Sequence, residues 1–190
     1  MASISKNFLL GIKENYKNFP SFIETGTHTG ATVFAFEEYF EELHTIEIAE
    51  HYFRGTKKKY EELTSFSGKK RKINFHLGDS SLVLRDLLPQ IKNNSIFWLD
   101  GHYSSGDTGR GQKDCPLYEE LDCINNLFKH QGIIIIDDLR LFETYSGENW
   151  LDISIEGVVS RIKKRFSLIY TMPSAFDPRD RLIIHIDPVL

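Results

Sequence analysis

Five acidic residues stand where predicted strands end, and these side chains have the types and positions needed for chemistry. They are Glu24, Glu47, Asp100, Asp137 and Asp138. Because parallel strands of an open α/β sheet deliver their carboxyl ends to the same edge, we expect these acids to share one rim. Like charges about 4 Å apart repel by about 4 kcal/mol at an effective dielectric near 20, so such a rim requires a cation or a shared proton.

Three of these acids, Asp100, Asp137 and Asp138, end neighbouring predicted strands and form a candidate metal site. Carboxylate oxygens without a cysteine ligand favour Mg²⁺ or a similar divalent cation. Adjacent strand residues face opposite ways, so Asp137 and Asp138 can share an ion only if the backbone turns there. In the alternative interpretation, one acid binds while the other caps a helix, or both are solvated.

A turn with two glycines follows the first predicted strand, within the stretch FIETGTHTGAT at residues 22–32. Gly26 breaks the β-prone run, and Gly30 opens an amphipathic helix, so the backbone can approach a ligand closely at a strand end. The turn lacks the third glycine of the dinucleotide fingerprint and the lysine of the phosphate loop. An ordinary βα turn is the alternative interpretation.

The acids around this turn indicate which ligand it accepts. Glu24 presents a carboxylate where a dinucleotide would bring its pyrophosphate, which favours a cationic ligand without phosphate, such as S-adenosylmethionine. Glu47 lies 17 positions after Gly30 and can accept hydrogen bonds from both ribose hydroxyls. An exposed acid that caps the following helix is the alternative for Glu47. Thr27 and His28 complete the cofactor turn.

Two further segments contribute polar groups to the same edge. Asp79 and Ser80 follow a predicted strand and either cap the next helix, which is worth about 1 kcal/mol, or contact adenine. The stretch 101–114 contains four glycines and resembles a mobile, polar lid. The stretch also carries His102 and Lys113, two side chains that can exchange protons.

The elements that must position these residues alternate between strand and helix over one domain. This order predicts a Rossmann-like doubly wound α/β fold, with a seven-stranded, mostly parallel sheet, an antiparallel last strand and helices on both faces. The single domain, residues 1–190, divides into an N-terminal helix (1–19), a cofactor- and metal-binding core (20–140) and a C-terminal helix and hairpin (141–190). The predicted strands are Ser21–Thr25, His44–Ile48, Ile73–Leu77, Ser95–Asp100, Ile133–Asp138, Ser167–Met172 and Arg181–Ile186.

Composition excludes several functional classes. The 190 residues are 41% hydrophobic and 26% charged with a formal net charge of -4, which is typical of a globular domain and argues against general nucleic-acid binding. The two cysteines cannot build a disulfide framework, and no apolar stretch reaches the length of a membrane span or a signal-peptide core. We therefore expect a cytoplasmic protein without a membrane partner.

The motifs together resemble the class I S-adenosylmethionine-dependent methyltransferases. They occur in the family's order as Glu24-x-Gly26-x-x-x-Gly30, Glu47, Gly78-Asp79-Ser80, Leu99-Asp100-Gly101-His102-Tyr103 and Ile136-Asp137-Asp138. Within that class the sequence is most similar to the metal-dependent O-methyltransferases, which include catechol O-methyltransferase and the macrolide-sugar O-methyltransferases. The similarity covers roughly residues 20–140.

The resemblance implies a role for each matched position. Glu24, Gly26 and Gly30, helped by Thr32, would border the methionine part of the cofactor. Glu47 would bind the ribose, and Asp79 and Ser80 would lie on the adenine side. The metal ligands would be Asp100, Asp137 and Asp138, with Asp100 also close to the cofactor. The metal would bind a substrate hydroxyl, lower its pKa and direct its oxygen to the sulfonium methyl.

One departure concerns the general base. The catechol branch has a lysine soon after the strand-four aspartate, whereas this sequence has Gly101-His102-Tyr103-Ser104. His102 is the first candidate base because imidazole titrates near neutral pH, and Lys113 is the second. A hydrogen-bonding role for His102 is the alternative.

The sequence therefore predicts metal-assisted methyl transfer to a hydroxyl of a small polar acceptor, in a possible homodimer. A Mg²⁺-dependent hydrolase and a non-catalytic nucleoside-binding module are the alternatives.

Overall fold

A computed structural model of the chain describes residues 4–67, 72–145 and 147–189. Seven strands form one sheet in the order β3-β2-β1-β4-β5-β7-β6. Strands β1 to β5 pair in parallel, and β7 is antiparallel to both of its neighbours. The strands are β1 (Ser21–Thr25), β2 (Glu42–Glu47), β3 (Ile73–Leu77), β4 (Ser95–Leu99), β5 (Gly132–Ile136), β6 (Phe166–Met172) and β7 (Arg181–Ile186). The predicted fold class, including the antiparallel last strand, is confirmed.

Helices separate most of the strands along the chain. They are α1 (Lys6–Gly11), α2 (Ala31–Phe36), α3 (Glu50–Ser67), α4 (Ser80–Leu87), α5 (Leu117–Leu127) and α6 (Ile155–Ile162). The prediction of a helix over residues 3–18 is wrong after Gly11, and residue 3 lies outside the described part. The chain is extended at Ile12 and returns to a single 3₁₀ turn at Tyr16–Asn18, because glycine and asparagine favour helix ends and turns over helix interiors.

The sheet is covered on both faces, which is why β4 and β5 are fully buried and, apart from Ser95 at the start of β4, contain no polar side chain. Alternate residues of these strands enter two separate cores. Phe97 and Ile134 pack with the helices α4, α5 and α6. Trp98 and Ile135 pack with α1, α2 and the buried ring of Tyr60 on α3.

The strand order reverses between β1 and β4, and this arrangement places the candidate site. From β1 the chain moves outward to β2 and β3, then returns to β4 on the other side of β1. A crevice opens at the carboxyl ends of strands at such a reversal. The turn after β1 and the segment after β4 lie against each other there, since the N–H of Asp100 donates to the carbonyl of Thr25 at 3.3 Å.

No helix within residues 4–67, 72–145 and 147–189 combines the length and apolar character needed to cross a bilayer.

Candidate active site

A cavity of about 230 Å³ lies at the carboxyl ends of the central strands. Its walls include eight of the residues singled out from the sequence: Gly26, His28, Glu47, Asp79, Ser80, Asp100, His102 and Lys113. The remaining predicted site residues are not among those that line it: Glu24, Thr27, Gly30, Thr32, Asp137 and Asp138. Eight of the predicted site residues therefore line the cavity, and six do not.

Gly26 allows the turn after β1 to lie against the segment after β4. Its φ is +83°, and a Cβ atom there would lie 2.3 Å from the carbonyl oxygen of Asp100. Gly30 has a φ of +76° at the start of α2, where a Cβ atom would lie 2.6 Å from Cγ2 of Thr56. Both positions therefore require glycine for backbone conformation and for space.

Glu24 lies beneath this turn. Its side chain is buried, and Oγ1 of Thr45 donates a 2.6 Å hydrogen bond to its Oε2. Oγ1 of Thr27 lies 2.6 Å from Oγ1 of Thr45, which links the turn to the same network. Burial raises the pKa of Glu24 well above its usual range, and the nearby charges of Asp100 and Glu47 raise it further.

Glu47 faces the cavity from the end of β2, with 6% of its surface exposed. Its Oε2 accepts a 2.7 Å hydrogen bond from the N–H of His28, and its Oε1 accepts a 2.8 Å bond from the N–H of Ala49. The alternative of an exposed acid at this position is wrong. Because each carboxylate oxygen has two lone pairs, both can still accept a hydrogen bond from a ligand hydroxyl.

The turn after β3 combines a helix cap with a polar cavity wall. Oδ1 of Asp79 accepts a 2.9 Å bond from the N–H of Ser81, which caps α4. Ser80 lines the cavity and donates a 2.5 Å bond from Oγ to Oε1 of Glu120. The structural and functional interpretations of this turn are therefore compatible.

Glu120 is a buried acid that the sequence analysis did not select. It is 1% exposed, and burial raises its pKa to about 7. The available signal was its position on α5, where it shares the buried helix face with Leu117, Leu121 and Ile124. An acid within an apolar stripe requires a polar partner, which here is Ser80.

His102 lies between two of the predicted metal ligands. Its Nδ1 is 3.6 Å from Oδ1 of Asp100, and its Nε2 is 3.2 Å from Oδ2 of Asp138. Burial by itself lowers the pKa of His102, but the two carboxylates outweigh burial and raise that pKa above its ordinary value. Burial also raises the pKa of Asp100, to about 7. His102 is therefore part of the same side-chain cluster as these two predicted ligands.

The third predicted ligand, Asp137, points elsewhere. Its Oδ1 accepts a 3.1 Å hydrogen bond from Nε of Arg181, whose guanidinium lies over the rings of Phe8 and Trp98. Burial raises the pKa of Asp137, although Arg181 acts in the opposite direction. The backbone does turn at Asp138, where φ is +61°, but the turn directs the two carboxylates to different partners.

Two groups of possible metal-ligand atoms occur among the described residues. Within each group, all the atoms lie within 4.8 Å of one another. The first contains Asp100, His102 and Asp138, and the second contains Asp137, Asp138 and Asp180. Asp100, Asp137 and Asp138 do not form one such group within the described ranges. In the second group, the guanidinium groups of Arg140 and Arg181 donate to the carboxylates.

The segment 101–114, which we call the strap, covers the cavity. A Cβ atom at Gly109 would lie 2.2 Å from Cγ2 of Ile48, and one at Gly111 would lie 2.8 Å from Oδ2 of Asp79. The hydroxyl of Tyr52, a cavity residue, donates a 3.0 Å bond to Asp107 on the strap. The strap glycines therefore allow close contact with the cavity rim.

A second, polar cavity of about 460 Å³ adjoins the strap. Residues alternate along the strap, since Gly109 and Gly111 line the first cavity whereas Arg110 and Gln112 line the second. Lys113 lines both cavities, and its Nζ pairs with Glu119. The second cavity is also lined by Tyr145, Asn149, Asp152 and Ile153.

Comparisons with known proteins identify the fold. No protein-family model matches the sequence, and neither does any curated protein. A solved S-adenosylmethionine-dependent methyltransferase from Clostridium acetobutylicum is similar with a TM-score of 0.54 and 12% identity, over 90% of this chain and 84% of that one. SMU.1697c from Streptococcus mutans, solved in complex with SAH (S-adenosylhomocysteine), has a TM-score of 0.56 and 13% identity, over 90% and 89%.

A solved protein that is named as a synthase, not as a methyltransferase, has a similar fold. Spermidine synthase from Thermotoga maritima has a TM-score of 0.52 and 14% identity, over 90% of this chain and 53% of that one. At these identities the likeness establishes a methyltransferase-type Rossmann-like fold, and the activity has to be argued from the site.

Proposed function

We propose that this chain binds S-adenosylmethionine in the first cavity and transfers its methyl group to a hydroxyl of a small polar acceptor. The observation that carries the proposal is the position of Glu47. Its carboxylate lies at the end of β2, faces the cavity and is oriented by two backbone N–H groups. A carboxylate held in this way can accept from the two hydroxyls of a ribose.

The other walls suit the remaining parts of the same cofactor. Asp79 and Ser80 lie on the side that we assign to adenine, and Gly26 lies on the side that we assign to methionine. Asp100 lines the cavity near Gly26 and gives the sulfonium a carboxylate neighbour. A ligand with a positive charge and no phosphate therefore fits this lining better than a dinucleotide.

Among the residues that the structure describes, the candidate ligand group at this site has His102 in place of the predicted Asp137. Carboxylate oxygens of Asp100 and Asp138 and a ring nitrogen of His102 lie within 4.8 Å of one another, whereas Asp137 is paired with Arg181. Two carboxylates and an imidazole are ligands that divalent metals accept. We therefore assign the metal to Asp100, His102 and Asp138. A metal bound there would lower the pKa of an acceptor hydroxyl.

This assignment leaves Lys113 as the residue that receives the hydroxyl proton, in place of His102. Lys113 lines both cavities, so its amine group can reach a molecule located between them. In the reaction the acceptor oxygen bonds to the methyl carbon as the bond from that carbon to sulfur breaks. The products are a methyl ether and S-adenosylhomocysteine. The proton goes to Lys113 in its neutral amine form, which becomes the ammonium that can pair with Glu119.

The second cavity is the proposed approach for the acceptor. Arg110, Gln112, Tyr145 and Asn149 give its lining many hydrogen-bonding groups, which suits a small polar molecule. A small-molecule acceptor and a homodimer remain predictions.

Isothermal titration tests the proposal. We expect saturable heat with S-adenosylmethionine and with S-adenosylhomocysteine, and little heat with NAD or ATP as phosphate-bearing controls. Binding of a phosphate-bearing nucleotide alone would contradict the proposal. The proposal would lose its metal if two results were found together. The cofactor would bind equally with Mn²⁺ and with a chelator, and methyl transfer would proceed with the chelator present.

A further inference from the structure

Asp180 is a buried carboxylate that neither the sequence analysis nor the proposed mechanism uses. It precedes β7 and is 1% exposed. Its Oδ1 accepts a 3.2 Å bond from the N–H of Arg140. Its Oδ2 accepts 2.5 Å bonds from Nη1 of Arg140 and from Oγ of Ser174. Its own carbonyl accepts a 2.8 Å bond from the N–H of Leu139.

These bonds act on the turn that follows β5. Asp138 has a φ of +61° and a ψ of +37°, a left-handed conformation that residues other than glycine seldom adopt. The next two N–H groups of the chain, those of Leu139 and Arg140, both donate to Asp180. Asp180 therefore fixes the backbone immediately after the left-handed residue.

The side chain of Arg140 also binds the carboxylate of Asp138. Its Nη1 lies 2.5 Å from Oδ1 of Asp138 and 2.5 Å from Oδ2 of Asp180, so one nitrogen bridges the two acids. The other oxygen of Asp138, Oδ2, is then directed to Nε2 of His102 at 3.2 Å. Asp180 and Arg140 thus determine which oxygen of Asp138 faces the candidate site.

We propose that Asp180 is a positioning residue for the methyl-transfer site, acting through Arg140 to direct Asp138 to His102. The proposal rests on the proposed function for the role of that site, whereas the positioning itself can be measured without cofactor or acceptor. A cation shared by Asp137, Asp138 and Asp180 is a poorer explanation of this acid cluster, because Arg140 and Arg181 already donate to all three carboxylates.

The test is the NMR signal of the His102 ring in protein labelled with ¹⁵N-histidine, assigned by its loss in His102→Gln. Asp180→Asn keeps the shape of the side chain, but the amide has only one oxygen that can accept hydrogen bonds. Arg140 and Ser174 together donate to both carboxylate oxygens of Asp180. Arg140→Lys keeps the charge but replaces the planar guanidinium that bridges the two acids. Arg179→Lys, an exposed change in the same loop, is the matched control.

We expect the His102 ring signals to move at constant pH in Asp180→Asn and in Arg140→Lys, and to stay in place in Arg179→Lys. Affinity for S-adenosylhomocysteine should change by less than about twofold in all three, since none of these residues lines the cofactor cavity. Unchanged His102 signals in Arg140→Lys would overturn the proposal. This result decides the matter even if Asp180→Asn does not fold. Absence of cofactor binding by the wild-type protein would instead overturn the proposed function.

Discussion

The backbone N–H of His28 donates a 2.7 Å hydrogen bond to Oε2 of Glu47, which joins the turn after β1 to the end of β2. His28 has a φ of +46°, so the bond also stabilises an unusual backbone conformation. The same carboxylate accepts from Ala49 through its other oxygen. Glu47 therefore shapes the cavity and faces it at the same time.

Substitution of Glu47 should weaken cofactor binding. Hydrogen bonds to a charged group are worth about 1.5–3 kcal/mol, so we expect Glu47→Gln to raise the dissociation constant for S-adenosylmethionine by about 10- to 100-fold. Isothermal titration measures this change. Glu50→Gln is the control, because Glu50 is exposed and pairs with Arg54 on the surface of α3. Equal affinities for both variants would contradict the ribose assignment.

Gly26→Ala should destabilise the fold at the site. The new Cβ would require both a left-handed backbone and space that the Asp100 carbonyl occupies, and such strain costs about 1–3 kcal/mol or more. Gly55→Ala is the contrasting variant, because Gly55 lies within α3 and a Cβ atom added there would have no neighbour within 4 Å among the described residues. It should stabilise the protein by about 0.5–1 kcal/mol. Urea unfolding measures both, and a neutral Gly26→Ala would refute the account of the turn.

Metal binding should depend on His102 and Asp138 more than on Asp137. We expect Asp138→Asn and His102→Gln to abolish the signal of protein-bound Mn²⁺ in electron paramagnetic resonance. Asp137→Asn should retain Mn²⁺ but lose stability, because removing one partner of a buried ion pair costs up to about 3–5 kcal/mol. Loss of bound Mn²⁺ in Asp137→Asn together with its retention in His102→Gln would instead support the three-aspartate site that the sequence predicts.

The free energy of unfolding should decrease as the pH falls below neutrality, because of a histidine pair between β2 and β3. Nδ1 of His44 lies 3.0 Å from Nε2 of His76. Burial and the neighbouring His44 lower the pKa of His76 to about 4, and burial lowers that of His44 although Glu42 opposes it. Since the unfolded chain binds protons near pH 6.5, this stability is present above that pH and is lost as pH falls toward 4.

The expected slope is at most about 1.4 kcal/mol per pH unit for each group, and less for His76 because it is partly exposed. Urea unfolding at pH 7 and pH 5 measures the loss. We expect a smaller loss in His76→Gln than in wild type, and an unchanged loss in His51→Gln, whose side chain is 59% exposed. An equal loss in wild type and His76→Gln would exclude the pair as its cause.

The strands and the glycine-containing turn after β1 could be predicted because their signals are local. Four consecutive isoleucines at residues 133–136 can only be a doubly covered strand, and they form β5. Gly26 and Gly30 mark positions where the backbone has a positive φ. Glu47 was identified by its distance along the chain from the glycines, and that distance reflects the length of one βαβ unit.

The orientation of the acids after β5 could not be predicted, because it depends on distant residues. Asp137 is paired with Arg181, 44 positions later, and Asp138 is held in a left-handed conformation beside Asp180. Neighbours in sequence thus face different partners for reasons that lie in the final hairpin. The left-handed residue is an aspartate, so no glycine marked the turn.

The most direct test of the central claim is a crystal structure of the protein with S-adenosylhomocysteine. We expect the ribose hydroxyls within hydrogen-bonding distance of Glu47, adenine beside Asp79 and Ser80, and the sulfur toward Asp100. A ligand bound outside this cavity, or a ribose turned away from Glu47, would contradict the account.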